Sequence, residues 1–341
     1  MAGAGSSPID RLGRPLRDLR VSVTDRCNFR CTYCMPRDAF GPDHGFLPRE
    51  QILSYEEIAR LVRVFAELGV SKVRLTGGEP LLRRDLETLV SSIAAIPGID
   101  DIALTTNGSL LAGRAKALRD AGLGRVTVSL DSVDPIVFAA MGDTKIPLAQ
   151  VLDGIAAATA AGLAPVKLNA VIQRGVNDAG LLDLVGYARE HGHILRLIEF
   201  MDVGTSNDWR RDEVVPAAEI IDLIAAVHPL EPAVPDRYGE VARRWTYADG
   251  AGELGVITSV TQPFCTDCTR ARITATGELF TCLFASRGQD LRTVLRSGAS
   301  DAELRDAITA VWARRTDRYS ELRELMTDAA PARAEMSYLG G

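Results

Sequence analysis

The chain has 341 residues, 46% of them hydrophobic and 25% charged, enough to bury a sizeable core and outside the ranges of disordered, collagen-like or coiled-coil sequences. Its 45 acidic and 39 basic residues leave a net charge of −6, so the overall field favours neither nucleic acid nor an anionic membrane surface. Any anionic ligand must be held by a local group of cations.

Residues 1–15 are small, polar and arginine-bearing, without the apolar stretch of a secretory signal, and read as a flexible lead-in. Short β-branched runs then alternate with amphipathic segments, the pattern of strand, crossover helix and next parallel strand. Strands are predicted over 19–23, 72–76, 102–105, 126–130, 166–172 and 195–200. Ser54 and Glu57 form a capping box ahead of Ile58, Leu61, Val62 and Phe65, and Gly69 stops that helix. Further helices are predicted over 85–95, 110–121, 148–161 and 179–190, the last two ending near Gly162 and Gly192. The most apolar run, around 156–164, is far shorter than the roughly 20 residues that span a bilayer.

A closed eight-stranded barrel takes about 250 residues, whereas these units occupy roughly the first 200, which predicts an incomplete (βα)6 TIM-type barrel over 16–215. Beyond it Pro216, Pro229, Pro232 and Pro235 punctuate the chain, and strands around 240–247 and 255–257 look antiparallel. Residues 216–341 therefore read as a smaller α+β region closing the barrel's open side.

All six cysteines fall in two groups of three. An odd number cannot pair off within a group, and a chain this long needs no disulfide staples, so a reducing compartment, the cytoplasm, is expected. The first group, Cys27-Asn28-Phe29-Arg30-Cys31-Thr32-Tyr33-Cys34, follows the first strand, at the sheet end where barrel enzymes place their chemistry. A structural zinc site there wants a fourth ligand, for which His44 is the candidate. A 4Fe-4S cluster held by three thiolates instead leaves one iron open. Thr76-Gly77-Gly78-Glu79-Pro80 follows the second strand, either as an ordinary turn or as a strip where bare backbone approaches a ligand.

The second group, Cys265-Thr266-Asp267-Cys268 with Cys282, poses the same choice, Asp267 being the ligand that would complete a zinc ribbon. Arg270 and Arg272, two apart on an extended chain, point the same way as paired planar forks suited to phosphate oxygens. Arg74, Lys167 and Arg196 lie within or at the edge of apolar strands, where a cation is costly unless it is paired or turned into a polar cavity or out to solvent.

The first cysteine segment resembles the signature of the radical S-adenosylmethionine superfamily, C-x3-C-x2-C with an aromatic residue, here Tyr33, before the last cysteine. The resemblance implies that S-adenosylmethionine chelates the open iron and that one electron splits it to a 5′-deoxyadenosyl radical. Gly78, Ser129 and Met201 match further cofactor-contact positions. Over nearly the whole chain the sequence resembles the molybdenum-cofactor biosynthesis protein A family, the GTP 3′,8-cyclases. Beside both triplets, Asp18-Leu19-Arg20, Val23-Thr24-Asp25-Arg26, Arg74, Thr105-Thr106-Asn107-Gly108, Glu199-Phe200-Met201-Asp202-Val203-Gly204 and Met336-Ser337-Tyr338-Leu339-Gly340-Gly341 carry the resemblance. Leu339 stands where the family commonly has isoleucine.

That resemblance implies a second 4Fe-4S cluster on Cys265, Cys268 and Cys282 whose open iron meets the guanine of GTP. It implies GTP contacts at Arg20, Arg74, Thr105, Lys167, Arg270 and Arg272; Arg196 joins them as a candidate from its strand position alone. The Gly340-Gly341 tail would thread back toward the site, against its plain reading as a frayed end. The product would be 3′,8-cyclo-7,8-dihydro-GTP, the first intermediate of molybdenum cofactor biosynthesis. A one-electron reductant protein and a downstream cyclic pyranopterin monophosphate synthase would be the partners, with a homodimer left open. Two other readings stand beside it. Another radical S-adenosylmethionine enzyme with an auxiliary cluster, such as a peptide maturase, usually carries more C-terminal cysteines. A non-enzymatic iron–sulfur or zinc interaction protein would not need an open ligand position at a sheet end.

Overall fold

Runs rich in Val, Ile and Leu form β1 (Asp18–Ser22), β2 (Lys72–Thr76), β3 (Asp101–Thr106), β4 (Arg125–Ser129), β5 (Lys167–Ile172) and β6 (Ile194–Glu199), each within a residue of its predicted position. The computed structural model describes residues 7–325 and 333–340. These strands lie side by side in chain order and are parallel throughout. Crossover helices α1 (Tyr55–Glu67), α2 (Leu86–Ala94), α3 (Ala115–Asp120), α4 (Pro135–Gly142), α5 (Leu148–Ala160) and α6 (Leu181–Glu190) connect them.

The capping box forms as predicted: the Glu57 amide donates to Ser54 Oγ at 3.1 Å and the Ser54 amide donates to Glu57 Oε2 at 2.7 Å. From that start α1 buries Ile58, Leu61, Val62 and Phe65 in one core that runs from Leu16 to Trp312. Each such side chain taken from water contributes about 1.5–3 kcal/mol. The helix predicted from 110 begins only at Ala115. Asn107 Oδ1 accepts from the Ser109 amide and hydroxyl, and Gln150 Nε2 donates to the Ser109 carbonyl, so local side-chain bonds take the groups a helix would use.

The later chain adds α7 (Ala217–Ala225), β7 (Leu230–Ala233), β8 (Arg243–Tyr247), β9 (Glu253–Ile257), β10 (Arg270–Ile273), β11 (Glu278–Phe280), β12 (Gln289–Asp290), α8 (Arg292–Arg296), α9 (Asp301–Ala313), α10 (Tyr319–Leu322) and α11 (Met336–Leu339). β8 and β9 pair antiparallel, as expected. The other edge of β9 pairs parallel with β6, and β10 pairs parallel with β1, which the sequence pattern did not signal. The result is a mostly parallel α/β sheet of twelve strands in the order β12-β11-β10-β1-β2-β3-β4-β5-β6-β9-β8-β7.

Residues 7–15, read from sequence as flexible, have a fixed place: Arg14 is fully buried and its Nε donates to Asp10 at 2.6 Å. Among the described residues no helix is long and apolar enough to cross a membrane.

Candidate active site

Parallel register sets the electrostatics of the site. Arg20 on β1 stands directly opposite Arg74 on β2 and Arg272 on β10, an arrangement of like charges that disfavours the sheet unless something offsets it. Among the described residues no carboxylate pairs with Arg20, Arg74, Arg196, Arg270 or Arg272. Arg74 Nη1 donates instead to the Thr105 and Thr127 hydroxyls, each at 3.0 Å, which fixes its direction and leaves its charge uncompensated. Burial, followed by the neighbouring Arg270, brings Arg20 down to about 10. Burial and then Arg20 push Arg74 and Arg272 well below the usual arginine range. These arginines face a cavity of about 210 Å³ that is also lined by Thr105, Cys265, Cys268, Cys282, Tyr33 and Met201. Its chemistry calls for a polyanion.

The first cysteine loop follows β1. The Cys31 carbonyl accepts from the amides of Cys34 and Met35, making a single tight turn. Arg30 ties the loop from outside by donating to the carbonyls of Cys27, Phe29 and Phe40, each at 2.9 Å. Burial pushes the Cys27 thiol up to about 11 and raises Cys31 and Cys34 well above the usual thiol range, with the Cys27 sulfur adding to the effect on both. Three half-buried thiols that resist joint ionisation suit a bound cationic cluster, which stabilises the thiolate form. Among the described residues no three Cys, His, Asp or Glu side chains are grouped to hold a single metal ion, and His44 packs edge-on between Phe40 and Phe46, at 4.9 and 5.0 Å.

Tyr33 and Phe200 pack with Cys31, Cys34 and Met336, joining the first triplet to the cavity. The Tyr33 hydroxyl donates to Asp131 Oδ2 at 2.8 Å, and Asp131 Oδ1 accepts from the Val171 amide at 2.8 Å. The Gly77-Gly78 strip lies against the backbone leading to Cys27. The Gly78 amide donates to the Thr24 carbonyl at 2.8 Å, and a Cβ on Gly78 would collide with the Arg26 carbonyl. Glu79 beside it is buried, which lifts its carboxyl to about 7, and it accepts from the Asn107 amide, the Leu81 amide and the Thr106 hydroxyl.

In the second triplet Arg270 Nη2 lies 3.5 Å from Cys268 Sγ. Burial by itself would raise this thiol, but Arg270 and Arg315 bring it down to about 6, so it is a thiolate at neutral pH. Cys282 is pushed up to about 12, by burial first and then by Asp317. The carboxy-terminal segment comes back to the same cavity. Glu335 accepts from the Thr205 amide and from the Thr205 and Ser206 hydroxyls. Beyond α11, the Gly340 carbonyl accepts from Arg272 Nη1 at 3.0 Å. Gly341 lies outside the described residues.

Of the residues singled out from sequence, Arg20, Arg74, Thr105, Arg196, Arg270, Arg272, Tyr33, Met201 and the second triplet share the cavity. Lys167 stands in register with Thr127 but does not line it, nor do Gly78 and Ser129, the latter at the end of β4 opposite Asn169. Sequence reading missed Lys72, Asn169, Arg14 and Arg315, which do line it. Lys72 and Asn169 carried the signal that drew notice to Arg74, a polar group in an apolar strand. Asn169 Oδ1 is buried without a hydrogen-bond partner. Arg14 and Arg315 had no sequence signal, since the carbonyls they hold at the second triplet, those of Cys265 and Cys268, lie 251 and 47 residues away.

A model of the radical S-adenosylmethionine superfamily matches residues 21–188, and a Molybdenum Cofactor Synthesis C model matches residues 193–321. The fold and the site thus define a radical S-adenosylmethionine protein. The GTP 3′,8-cyclase of Acidothermus cellulolyticus is 58% identical, the alignment covering 97% of this chain and 98% of that protein. Those of Xanthomonas axonopodis pv. citri and Staphylococcus aureus are 52% and 46% identical, again over 97% of this chain and 98% of each. The chain belongs to the GTP 3′,8-cyclase family. The crystal structure of Streptococcus suis SuiB bound to S-adenosylmethionine superposes with a TM-score of 0.60 at 14% identity, covering 92% of this chain and 69% of that one. At that identity the likeness is one of fold.

Proposed function

We propose that this chain is a radical S-adenosylmethionine lyase that converts GTP to 3′,8-cyclo-7,8-dihydro-GTP, the first step of molybdenum cofactor biosynthesis. The observation that carries this reading is the row of Arg272, Arg20 and Arg74 across adjacent strands, the outer two buried and Arg20 half-buried, without carboxylate partners, facing a cavity shared with the second cysteine triplet. A triphosphate carries roughly four negative charges, and each charge-assisted hydrogen bond to it is worth about 1.5–3 kcal/mol.

In this reading Cys27, Cys31 and Cys34 hold one 4Fe-4S cluster, with Tyr33, Gly78, Ser129 and Met201 around S-adenosylmethionine. Cys265, Cys268 and Cys282 hold a second cluster beside the guanine. With both groups bound, the site would supply a carbon-centred radical to take the ribose C3′ hydrogen; C3′ would bond to guanine C8 as the C8–N7 double bond opens, and one electron and one proton would complete the dihydro product. The chain's own residues do the positioning. Arg20, Arg74, Arg270 and Arg272, with Arg196 and Lys72 beside them, clamp the phosphates, and Lys167, in register with Thr127, contributes positive potential from β5. Thr105 and Thr127 hold the Arg74 fork in plane. Gly340 places bare backbone beside the substrate, and the apolar packing of Tyr33, Phe200 and Met336 keeps water from the cofactor end.

The architecture corresponding to this reading is an incomplete (βα)6 barrel over 16–215, closed on its open side by 216–341. The free state of all six cysteines suits a cytoplasmic setting. A one-electron reductant protein and a downstream cyclic pyranopterin monophosphate synthase are the proposed partners, with a homodimer as the assembly to look for.

The test is incubation of the anaerobically reconstituted protein with reductant, S-adenosylmethionine and GTP deuterated at C3′. Release of 5′-deoxyadenosine carrying that deuterium is expected. No transfer, or equal turnover with an unrelated substrate, would overturn the assignment.

A further inference from the structure

Two arginines outside the phosphate row bind neither substrate-facing hydroxyls nor each other. Arg14, from the N-terminal loop, and Arg315, just past α9, are 0% and 5% exposed. Arg14 Nη1 donates to the Cys265 carbonyl at 2.7 Å and to the Asp317 carbonyl at 2.8 Å. Arg315 Nη1 donates to the Cys268 carbonyl at 2.6 Å. Asp10 sits between them, 2.6 Å from Arg14 and 3.4 Å from Arg315. The Trp312 indole N–H donates to the Arg14 carbonyl at 3.0 Å, and the Arg315 guanidinium lies over the Trp312 ring at 4.6 Å. Asp317 accepts from the Thr281 hydroxyl at 2.6 Å, next to Cys282. Both arginines line the cavity at the second triplet; Nη2 of Arg14 is buried without a hydrogen-bond partner, and Nε of Arg315 pairs with Asp317 Oδ2 at 3.5 Å.

We infer that Arg14 and Arg315 are positioning residues of the second cysteine triplet. They hold the carbonyls of Cys265 and Cys268 from behind and turn their remaining N–H groups toward the sulfur atoms assembled there. The inference rests on the reading of this triplet as an iron–sulfur site. The physical reason is that the Cys265–Asp267 turn is a single short 3-10 element and cannot fix two thiolate directions by itself. Two buried planar donors, anchored by Asp10 and Trp312, remove that freedom before any cluster binds. Buried N–H groups beside sulfur also favour the reduced, more negative form of a cluster. The first triplet has no such pair; its loop is tied by Arg30 alone among the arginines that donate to its carbonyls.

The experiment compares the full chain with Arg14→Gln, Arg315→Gln and the charge-keeping Arg315→Lys, each anaerobically reconstituted, by iron and sulfide content, by the electron paramagnetic resonance signals of both clusters, and by the midpoint potential of each. Cys265→Ser identifies the signal of the second cluster. The unsubstituted chain is expected to bind about eight irons as two clusters. The glutamine variants should lose iron selectively from the second triplet, toward about half the total, or keep it with a lowered second-cluster potential and an unchanged first one. Arg315→Lys should restore part of the loss. Full iron with both potentials unchanged in the glutamine variants would overturn the inference, and so would equal loss from both triplets, which marks a general folding role. If the unsubstituted chain itself binds only about four irons, the two-cluster reading fails rather than this inference alone.

Discussion

Arg272 Nη1 donates to the Gly340 carbonyl at 3.0 Å, so a strand of the phosphate row also holds the carboxy-terminal tail. Gly340 has φ +69°, and a Cβ there would stand 2.5 Å from Thr76 Cγ2. Gly340→Ala is therefore expected to push the tail out of the cavity. Cyclisation of GTP should fall at least about tenfold, roughly 1.4 kcal/mol in the barrier, while iron content stays unchanged. Product formation and 5′-deoxyadenosine release, measured side by side, check this; full cyclisation by the variant would show that the tail has no part in it.

Arg74 carries its charge to the cavity on two threonine hydroxyls. Arg74→Gln keeps polar contacts and removes the charge, so the loss is that of a charge-assisted bond, about 1.5–3 kcal/mol. GTP binding should weaken about 10- to 150-fold. Guanosine binding should change little. Calorimetric titration of both ligands decides it, and an equal loss for guanosine would mean that Arg74 does not read the phosphates.

Lys72 is brought down to about 7, by burial first, with Asp18 opposing and Arg74 reinforcing the shift. A bound polyanion favours the ammonium form and raises this value. Binding above pH 7 should therefore take up a proton, and GTP affinity should decline as pH rises from about 7 toward the bound-state value. Below pH 7 the lysine is charged in both states and contributes no slope. Lys72→Met should flatten the profile and weaken binding at pH 6.5. Titrations in buffers of different ionisation enthalpy would expose an absent proton uptake.

Gly78 has no room for a side chain because the Arg26 carbonyl occupies that space. Gly78→Ala should displace the backbone leading to Cys27, at a cost of about 1–3 kcal/mol from overpacking. Cleavage of S-adenosylmethionine should drop more than GTP affinity does, since Arg20 and Arg74 lie within β1 and β2, upstream of the turn that moves, while Cys27 directly follows it. Unchanged cleavage with weakened GTP binding would contradict this placement.

Much of the fold was legible because its signals are local. Lys72–Thr76 reads as a strand from its own residues, and the capping box of Ser54 and Glu57 marks the start of α1 before any partner is known. The six cysteines were legible because ligand spacing is a property of the chain alone, and the family likeness followed from those spacings and the motifs around them. Where local competition was subtle the reading slipped, as at Asn107 and Ser109, whose side chains delay α3 by five residues relative to 110.

The sequence by itself determined the βα alternation, the two triplets and the identity of most of the cations. Only the tertiary structure decided where those cations meet. Arg272 is some 250 positions from Arg20 in the chain, yet β10 pairs parallel with β1 and sets the two side by side, with Arg74 on the far flank. Register is a long-range property, fixed by which apolar faces bury together and not by any local preference of arginine. For the same reason Arg14 and Arg315 came to the site unannounced, while Lys167, chosen from its place in an apolar strand, stands in register with the lining residue Thr127 without lining the cavity itself.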